Sequence, residues 1–143
     1  MLVRLMYASR AADSVDAEAL STILRKSKEN NPRVGVTGVL CFCFNAGIFL
    51  QVLEGGRNAV SMLYNRISQD PRHREVVLLS YEEIGERSFS SWSMGQVNMG
   101  RLNPALLLKY SESATLDPYS VSGKASLALF NELVATASIG SQA

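Results

Sequence analysis

The feature that most constrains the fold is a pair of apolar, β-branched and aromatic runs separated by a short turn. Val34 to Phe44 is the first run, interrupted by Gly35 and Gly38, and Ile48 to Leu53 is the second. Asn45-Ala46-Gly47 lies between them, and a short glycine-containing loop between two such runs is typical of a β-hairpin. The hairpin is therefore the element around which the other predicted strands must be arranged.

One strand and one helix are predicted before the hairpin. Val3 to Ser9 indicates a strand with Tyr7 and Ser9 on the same face. A helix follows, with Ser14 or Asp16 as its cap, and Asn30-Asn31-Pro32 ends it because a residue before proline avoids the α region. The apolar stripe of this helix consists of Leu20, Ile23, Leu24 and the small Ser27.

A second helix and two further strands are predicted after the hairpin. Gly55-Gly56 opens the helix and Asp70-Pro71 closes it. Its stripe at helical spacing consists of Val60, Leu63, Tyr64 and Ile67. Val76 to Ile84 and Ser93 to Asn98 are the remaining strand candidates. The order β-α-β-β-α-β is that of a ferredoxin-like sheet with two helices on one face, so we predict an α+β fold with a fifth strand.

A C-terminal extension of two helices is predicted after Gly100. Asn103-Pro104 starts a short Leu-rich helix that runs to Tyr110. The second helix begins near Lys124, and its stripe consists of Leu127, Phe130, Leu133, Val134 and Ala137. These apolar faces must rest on the free face of the sheet or on another subunit. The polar end, Ser138 to Ala143, is expected to fray, and we divide the chain into residues 1–99 and 100–143.

Composition and cysteine usage exclude several classes of protein. The 143 residues and an apolar share of 47% suffice for one domain with a core, and the net charge of +1 indicates neither nucleic acid nor an anionic membrane. The apolar N-terminus is too short for a signal peptide or a membrane span, so we expect a cytoplasmic protein. Cys41 and Cys43 share one strand face, where a disulfide would be strained, and the single His73 cannot complete a zinc site.

The common signatures of enzymes are missing from the sequence. It has no P-loop, no Rossmann glycine fingerprint and no nucleophile elbow. His73 lies in the charged segment Asp70 to Arg74, whose composition favours solvation or anion binding over catalysis. We therefore do not expect an enzyme.

Polar residues occur where the pattern predicts a buried face. They are Tyr7 in the first strand, Gln51 in the third and Asn30-Asn31 at the end of the first helix. In the ferredoxin-like order the first and third strands are central neighbours, so Tyr7 and Gln51 should lie side by side beneath the helices. Each could simply be a satisfied core polar group, but together they suit a flat heterocycle with polar edges.

Five segments, in their order and spacing, resemble the BLUF family of blue-light sensors that use flavin, across residues 2 to 98. The segments are Arg4 to Ser9, Asn30 to Leu40, Phe49 to Gly55, Asp70 to His73 and Trp92 to Met94. The tail, with Leu108 to Ser111 and Ala114-Thr115, resembles that of the short, stand-alone PixD-type members. No output enzyme is expected with a chain of this type.

The resemblance implies a non-covalent flavin between the two helices, FAD first, with FMN or riboflavin as alternatives. Ile23 and Ile67 would flank the ring, and Asn31, with Asn30, would hydrogen-bond its carbonyl and imide edge. Ser27 is a further candidate contact. The cationic groups at Arg66, Arg72 and His73 either meet the ribityl-phosphate end or remain solvated.

The resemblance also implies a photochemical role for several side chains. Tyr7 would supply an electron and then a proton, with Gln51 as the relay. The Gln51 amide would end rotated or tautomerised, with a stronger hydrogen bond to the flavin C4 carbonyl and a red-shifted absorption. Trp92 and Met94 share strand parity and should face the same way, either of them next to Gln51, and Ser9 could hold the Trp92 indole.

Output is implied to pass to other proteins. The short relatives form ring-like assemblies and bind a response-regulator-like partner, so we expect a homo-oligomer, either a dimer or a ring, and a partner of that kind. The alternatives are an acylphosphatase-like enzyme, which needs a phosphate cradle, and another ferredoxin-like ligand-binding domain. An RNA-binding domain of the same topology needs exposed aromatics within a basic stretch, which Cys41-Phe42-Cys43-Phe44 lacks.

Overall fold

The fold is a six-stranded sheet with helices on both faces. It is seen in a computed structural model that describes residues 1–44, 46–97, 103–136 and 139–140. The elements are β1 (Leu2–Ala11), α1 (Ala17–Asn30), a 3₁₀ helix (Asn31–Val34), β2 (Thr37–Cys43), β3 (Ile48–Gly56), α2 (Arg57–Gln69), β4 (His73–Ile84), β5 (Gly95–Val97), α3 (Pro104–Tyr110), α4 (Gly123–Ala135) and β6 (Ile139–Gly140). The strand order is β4-β1-β3-β2-β5-β6. This confirms the α+β fold with a ferredoxin-like core.

Several boundaries differ from the predicted ones because pairing between strands, rather than local composition, sets them. Gly55 and Gly56 belong to β3, since they pair with Val3 and Leu2 of β1. β4 begins at His73 instead of Val76 because His73 pairs with Ala11. The Val34 end of the first run lies in the 3₁₀ helix, which stops at Gly35 in the left-handed conformation, with φ of 71°.

The C-terminal end of the described chain also differs from expectation. The fifth strand covers only Gly95–Val97, and the predicted Asn98 lies outside the described residues. Fraying was predicted from Ser138 onward, but Ile139–Gly140 pairs antiparallel with β5, so this prediction is wrong for those two residues. Residues 137, 138 and 141–143, including Ala137 of the predicted stripe, lie outside the described part.

Each face of the sheet is covered by a different pair of helices. The cleft face, as we call the side under α1 and α2, buries a cluster that includes Leu5, Tyr7, Leu24, Leu53 and Val60. The tail face, under α3 and α4, buries a second cluster that includes Met6, Leu50, Leu107, Phe130 and Leu133. Successive side chains of β1 and β3 point to opposite faces of the sheet, so each strand contributes to both cores. The C-terminal helices pack on the sheet face opposite α1 and α2, as predicted.

The two cysteines lie on β2, and neither forms a disulfide. Cys41 is buried in the tail-face core, and this burial, with Cys43 nearby, raises the pKa of its thiol to about 12. Such a thiol stays protonated and behaves as a small apolar group. Among the described helices, none has the length and apolarity needed to cross a membrane.

Candidate functional site

A buried polar pair lies at the centre of the cleft face. Tyr7 on β1 stands directly opposite Gln51 on β3, and its phenol donates a hydrogen bond to Gln51 Oε1. The two residues are 2% and 6% exposed. Burial, helped by the neighbouring Tyr64 and Asp70, raises the pKa of Tyr7 far above its ordinary value. The phenol therefore remains protonated and holds its proton on the line to the amide.

The other end of the Gln51 amide contacts the segment that leads into β5. Gln51 Nε2 donates to Met94 Sδ at 3.2 Å, and Met94 is fully buried in the cleft-face core. A thioether is a weak acceptor, so this bond orients the amide without holding it rigidly. Of the two candidates that the sequence left open, Met94 is the one beside Gln51.

Trp92 lies on the opposite side of the sheet from Met94, so the prediction that they share a face is wrong. Trp92 packs against the tail-face core, whereas Met94 belongs to the cleft-face core. Residues 92–94 precede β5 and are not a strand, so the period of two does not apply to them. The buried Trp92 Nε1 has no hydrogen-bond partner among the described residues.

Ser9 has a different partner from the predicted indole. Its Oγ lies 2.7 Å from His73 Nδ1, at the start of β4. The His73 ring also stands 4.9 Å from the Phe49 ring. Burial is the main reason that the pKa of His73 lies below its ordinary value, with Asp70 acting in the opposite direction. His73 is thus a half-buried residue of the sheet, and the expectation of a solvated turn does not hold for it.

The end of α1 contributes the two asparagines. Asn31 is 5% exposed, and its Nδ2 donates to the Ser93 carbonyl oxygen at 3.2 Å. Asn30, one position earlier, is exposed. Asn31 therefore connects the end of α1 to the residue next to Met94.

Tyr7, Gln51, His73 and the two asparagines line one cleft between α1 and α2. Its volume is about 360 Å³, which lies within the range of small-molecule and cofactor sites. Every predicted contact residue lines it: Tyr7, Ile23, Ser27, Asn30, Asn31, Gln51, Arg66, Ile67, Arg72 and His73. The structure brings together side chains that are as far apart in sequence as Tyr7 and His73.

Some residues of the cleft were not anticipated from the sequence. They are Lys26, Leu40, Phe49, Leu63 and Asp70. Helical spacing from Ile23 and Ile67 would have placed Lys26 and Leu63, and strand spacing from Gln51 would have placed Phe49. Asp70 gave no such signal; a hydrogen bond from the Arg72 side chain lowers the pKa of its carboxyl to about 2.

The chemistry of the cleft fits a flavin. Ile23 and Ile67 come from the two helices and offer apolar walls, while the buried amides of Asn31 and Gln51 offer donors and acceptors for a polar ring edge. Lys26 and Arg66 add positive charge for a phosphate group. Among the described residues no three acidic, histidine or cysteine side chains are grouped as metal ligands.

Comparison with known proteins places this geometry in a family. Residues 2–95 match the sequence model described as "BLUF: Sensors of blue-light using FAD". A photoactivated adenylate cyclase subunit beta of Euglena longa is 36% identical over 94 residues, which are 65% of this chain and 11% of that protein. The blue light- and temperature-regulated antirepressor BluF of Escherichia coli is 34% identical over 66% of this chain and 23% of its own length. The chain thus spans only a small part of these curated relatives.

Two solved structures cover nearly the whole chain. The BlsA photo-activated state has a TM-score of 0.82 at 29% identity and covers 100% of this chain and 99% of its own. BlrB, described as a BLUF protein in its dark state, has a TM-score of 0.78 at 33% identity and covers 95% of this chain and 96% of its own. The extent of the match, the fold and the cleft agree: this chain belongs to the BLUF family, the blue-light sensors that bind a flavin.

Proposed function

We propose that this protein binds FAD non-covalently in the cleft and signals blue light through a rearrangement of the Tyr7–Gln51 hydrogen bond. The observation that carries the proposal is the buried series Tyr7, Gln51 and Met94, joined by hydrogen bonds, with Tyr7 and Gln51 lining the cleft. When bound, the flavin would supply the absorption of blue light and an acceptor for one electron. FAD is preferred over FMN because the family description names it.

The binding roles follow from position and chemistry. Asn31, with the more exposed Asn30, holds the polar edge of the ring, while Ile23 and Ile67 pack against its faces and Ser27 adds a contact. Arg66 and Lys26 meet the phosphate end, and Asp70 fixes the Arg72 guanidinium by hydrogen bonds. None of these residues is a covalent attachment point.

The switching step concerns one amide. With flavin bound, Tyr7 would give one electron to the excited ring and pass its phenolic proton on through Gln51, and both would return to the phenol when the charges recombine. The Gln51 amide would be left rotated or tautomerised, and it would then donate more strongly to the C4 carbonyl of a bound flavin. Rotation also turns Oε1 toward Met94 Sδ, so the sulfur loses its donor.

A single hydrogen bond sets the size of the signal. Its net worth of roughly 0.5–1.5 kcal/mol shifts a two-state equilibrium about two- to thirteenfold, whereas a nearly complete switch needs about 5.5 kcal/mol. Light therefore produces a modest bias, which an assembly of subunits or a partner must amplify.

The tail is the proposed output element. α3 and α4 lie behind the sheet, where Trp92 touches the same core as Phe130, and Leu108 of α3 is 54% exposed. We propose a cytoplasmic homo-oligomer, a dimer or a ring, that binds a response-regulator-like protein in one light state. Capture of such a partner in the dark and in the light, by wild type and by Leu108→Ser, tests this part.

Absorption spectroscopy of the purified protein tests the function itself. We expect a yellow protein with a flavin spectrum, a small red shift under blue light that reverses in darkness, and release of all chromophore by acid. A colourless protein that cannot be reconstituted with flavin, or one whose flavin stays attached to the chain, would contradict the proposal. Hydrolysis of an acylphosphate by the colourless protein would favour the alternative enzyme.

A further inference from the structure

A cluster on the edge of the sheet joins the tail to β4, away from β5. Tyr119 lies in the turn between α3 and α4, where its backbone N–H donates to Asp117 Oδ1 at 3.1 Å. Its hydroxyl donates to the carbonyl oxygen of Glu75 at 2.8 Å. The guanidinium of Arg10 stands 4.5 Å from the centre of the Tyr119 ring and donates to the Glu75 carboxylate. We call Arg10, Glu75 and Tyr119 the edge clasp.

The residue that the clasp holds has a strained backbone. Glu75 has φ of 50°, and among the described residues it alone combines a positive φ with a side chain. A residue other than glycine, asparagine or aspartate rarely adopts this conformation unless its surroundings enforce it. The bond from the Tyr119 hydroxyl goes to the Glu75 backbone itself, so it acts directly on the strained peptide.

Glu75 lies in a β-bulge opposite Ser9. Ala8 pairs with Val77 and Arg10 pairs with Arg74, so β4 has two residues between these pairs where β1 has only Ser9. A bulge of this kind bends the strand and re-aims the neighbouring side chains. The clasp therefore contacts β4 at the residue where the bulge bends the strand.

The same segment of β4 carries His73, whose side chain lines the cleft. His73, two residues before Glu75, contacts Ser9 through Nδ1 at 2.7 Å, faces Phe49 and lines the cleft. One short stretch of β4 thus presents His73 to the cleft and the Glu75 carbonyl to the tail.

We infer that Tyr119 is a positioning residue for the cleft, which holds the Glu75 bulge and thereby sets His73 against Ser9 and Phe49. The light-dependent consequence rests on the proposed function. If a change in the cleft moves His73, it must alter the tail contact by the same coupling free energy, because coupling is reciprocal. The tail is then linked to the cleft along β4, at the edge of the sheet remote from Trp92 and β5.

The test uses the fact that His73 is the single histidine of the sequence. Its imidazole signals in a proton–carbon NMR spectrum therefore need no assignment. Tyr119→Phe removes the hydroxyl but keeps the ring beneath Arg10. Tyr81→Phe, at an exposed tyrosine of β4, is the matched control. We expect Tyr119→Phe to shift the His73 signals and to move its titration toward that of a solvated imidazole, while Asp70 and Arg72 stay in place. Tyr81→Phe should leave the signals as they are.

A second substitution distinguishes an effect of Tyr119 on the position of His73 from a general loss of packing. Asparagine adopts positive φ more readily than glutamate, so Glu75→Asn combined with Tyr119→Phe should bring the His73 signals back toward those of wild type. His73 signals and titration that are unchanged in Tyr119→Phe would overturn the inference.

The light-dependent part of the inference is tested by measuring dark recovery of the flavin-loaded protein. We expect the dark-recovery rate to change at least twofold in Tyr119→Phe and to remain that of wild type in Tyr81→Phe. If wild type shows no photocycle at all, only the proposed function fails, because the His73 comparison is made without light.

Discussion

Gln51 Nε2 donates to Met94 Sδ across 3.2 Å, while Oε1 of the same amide accepts the phenol hydrogen of Tyr7. A single side chain therefore joins β1 to the segment that enters β5, and both of its bonds depend on which way the amide points. The Met94 sulfur favours the orientation seen here because it accepts a hydrogen bond only from Nε2. Met94 thus stabilises one orientation of the Gln51 amide relative to the flipped one.

Met94→Leu keeps most of the buried volume but removes the acceptor. Without it the amide gains less by returning to its original orientation, so we expect dark recovery to slow about two- to fivefold, which corresponds to roughly 0.5–1 kcal/mol. Flash absorption spectroscopy measures the rate. Met62→Leu, at an exposed methionine of α2, is the control, and equal rates in all three proteins would refute a role for the sulfur.

Tyr7→Phe and Gln51→Leu test the relay itself. Each should retain flavin, since binding rests on the asparagines and the helix faces, and each should lose the red-shifted state. Tyr64→Phe is the matched control: its ring centre lies 5.6 Å from that of Tyr7 on the same face of the sheet. A normal red shift in either relay variant, by difference spectroscopy, would show that the relay is wrongly assigned.

Asn31→Ala should weaken flavin binding. It removes a buried amide at the cleft and also the bond to the Ser93 carbonyl, so we expect a loss of about two- to thirteenfold in affinity, the worth of one hydrogen bond. Fluorescence titration of the apoprotein with FAD measures it. Asn30→Ala, at the exposed neighbouring position, should lose less, and the reverse order would contradict the assignment.

Alkaline pH should destabilise the protein partly through Tyr7. Burial raises the pKa of this phenol in the folded chain, whereas unfolding returns it to about 10. The stabilisation is therefore complete below about pH 10 and is lost as pH rises above it, by up to about 1.4 kcal/mol per pH unit. Urea unfolding measured from about pH 9 to about pH 11 should show that the free energy of unfolding falls less steeply with pH in Tyr7→Phe than in wild type. Equal slopes of this free energy against pH in the two proteins would exclude the effect.

Phe130→Ala tests how far the tail completes the core. Phe130 is fully buried on the tail face, with its ring 6.4 Å from that of Phe89, so its truncation should cost about 3–5 kcal/mol of unfolding free energy. Leu108→Ala, on the exposed side of α3, should change it by less than about 0.5 kcal/mol. Chemical denaturation measures both changes in unfolding free energy. Similar small changes for the two substitutions would mean that the packing of the tail on the sheet contributes little to stability.

The pattern of residues was sufficient to predict the order of elements from β1 to α4, apart from the 3₁₀ helix, and the pairing of β1 with β3. Alternation along Val3 to Ser9, the hairpin runs and the helical stripes are local signals, and the known ferredoxin-like order converts them into a sheet. That order alone brought Tyr7 opposite Gln51. The division at residue 100 stays a prediction, since residues 98–102 lie outside the described part.

Other features required the tertiary structure because their causes are not local. Trp92 and Met94 are two residues apart, and in a strand they would share a face; the backbone before β5 instead sends Trp92 to one core and Met94 to the other. The start of β4 at His73 depends on Ala11, and the bulge at Glu75 depends on Tyr119, which lies 44 residues further along the chain. Periodicity reports which residues are apolar along one element, but contacts between distant elements set register, bulges and the direction of irregular segments.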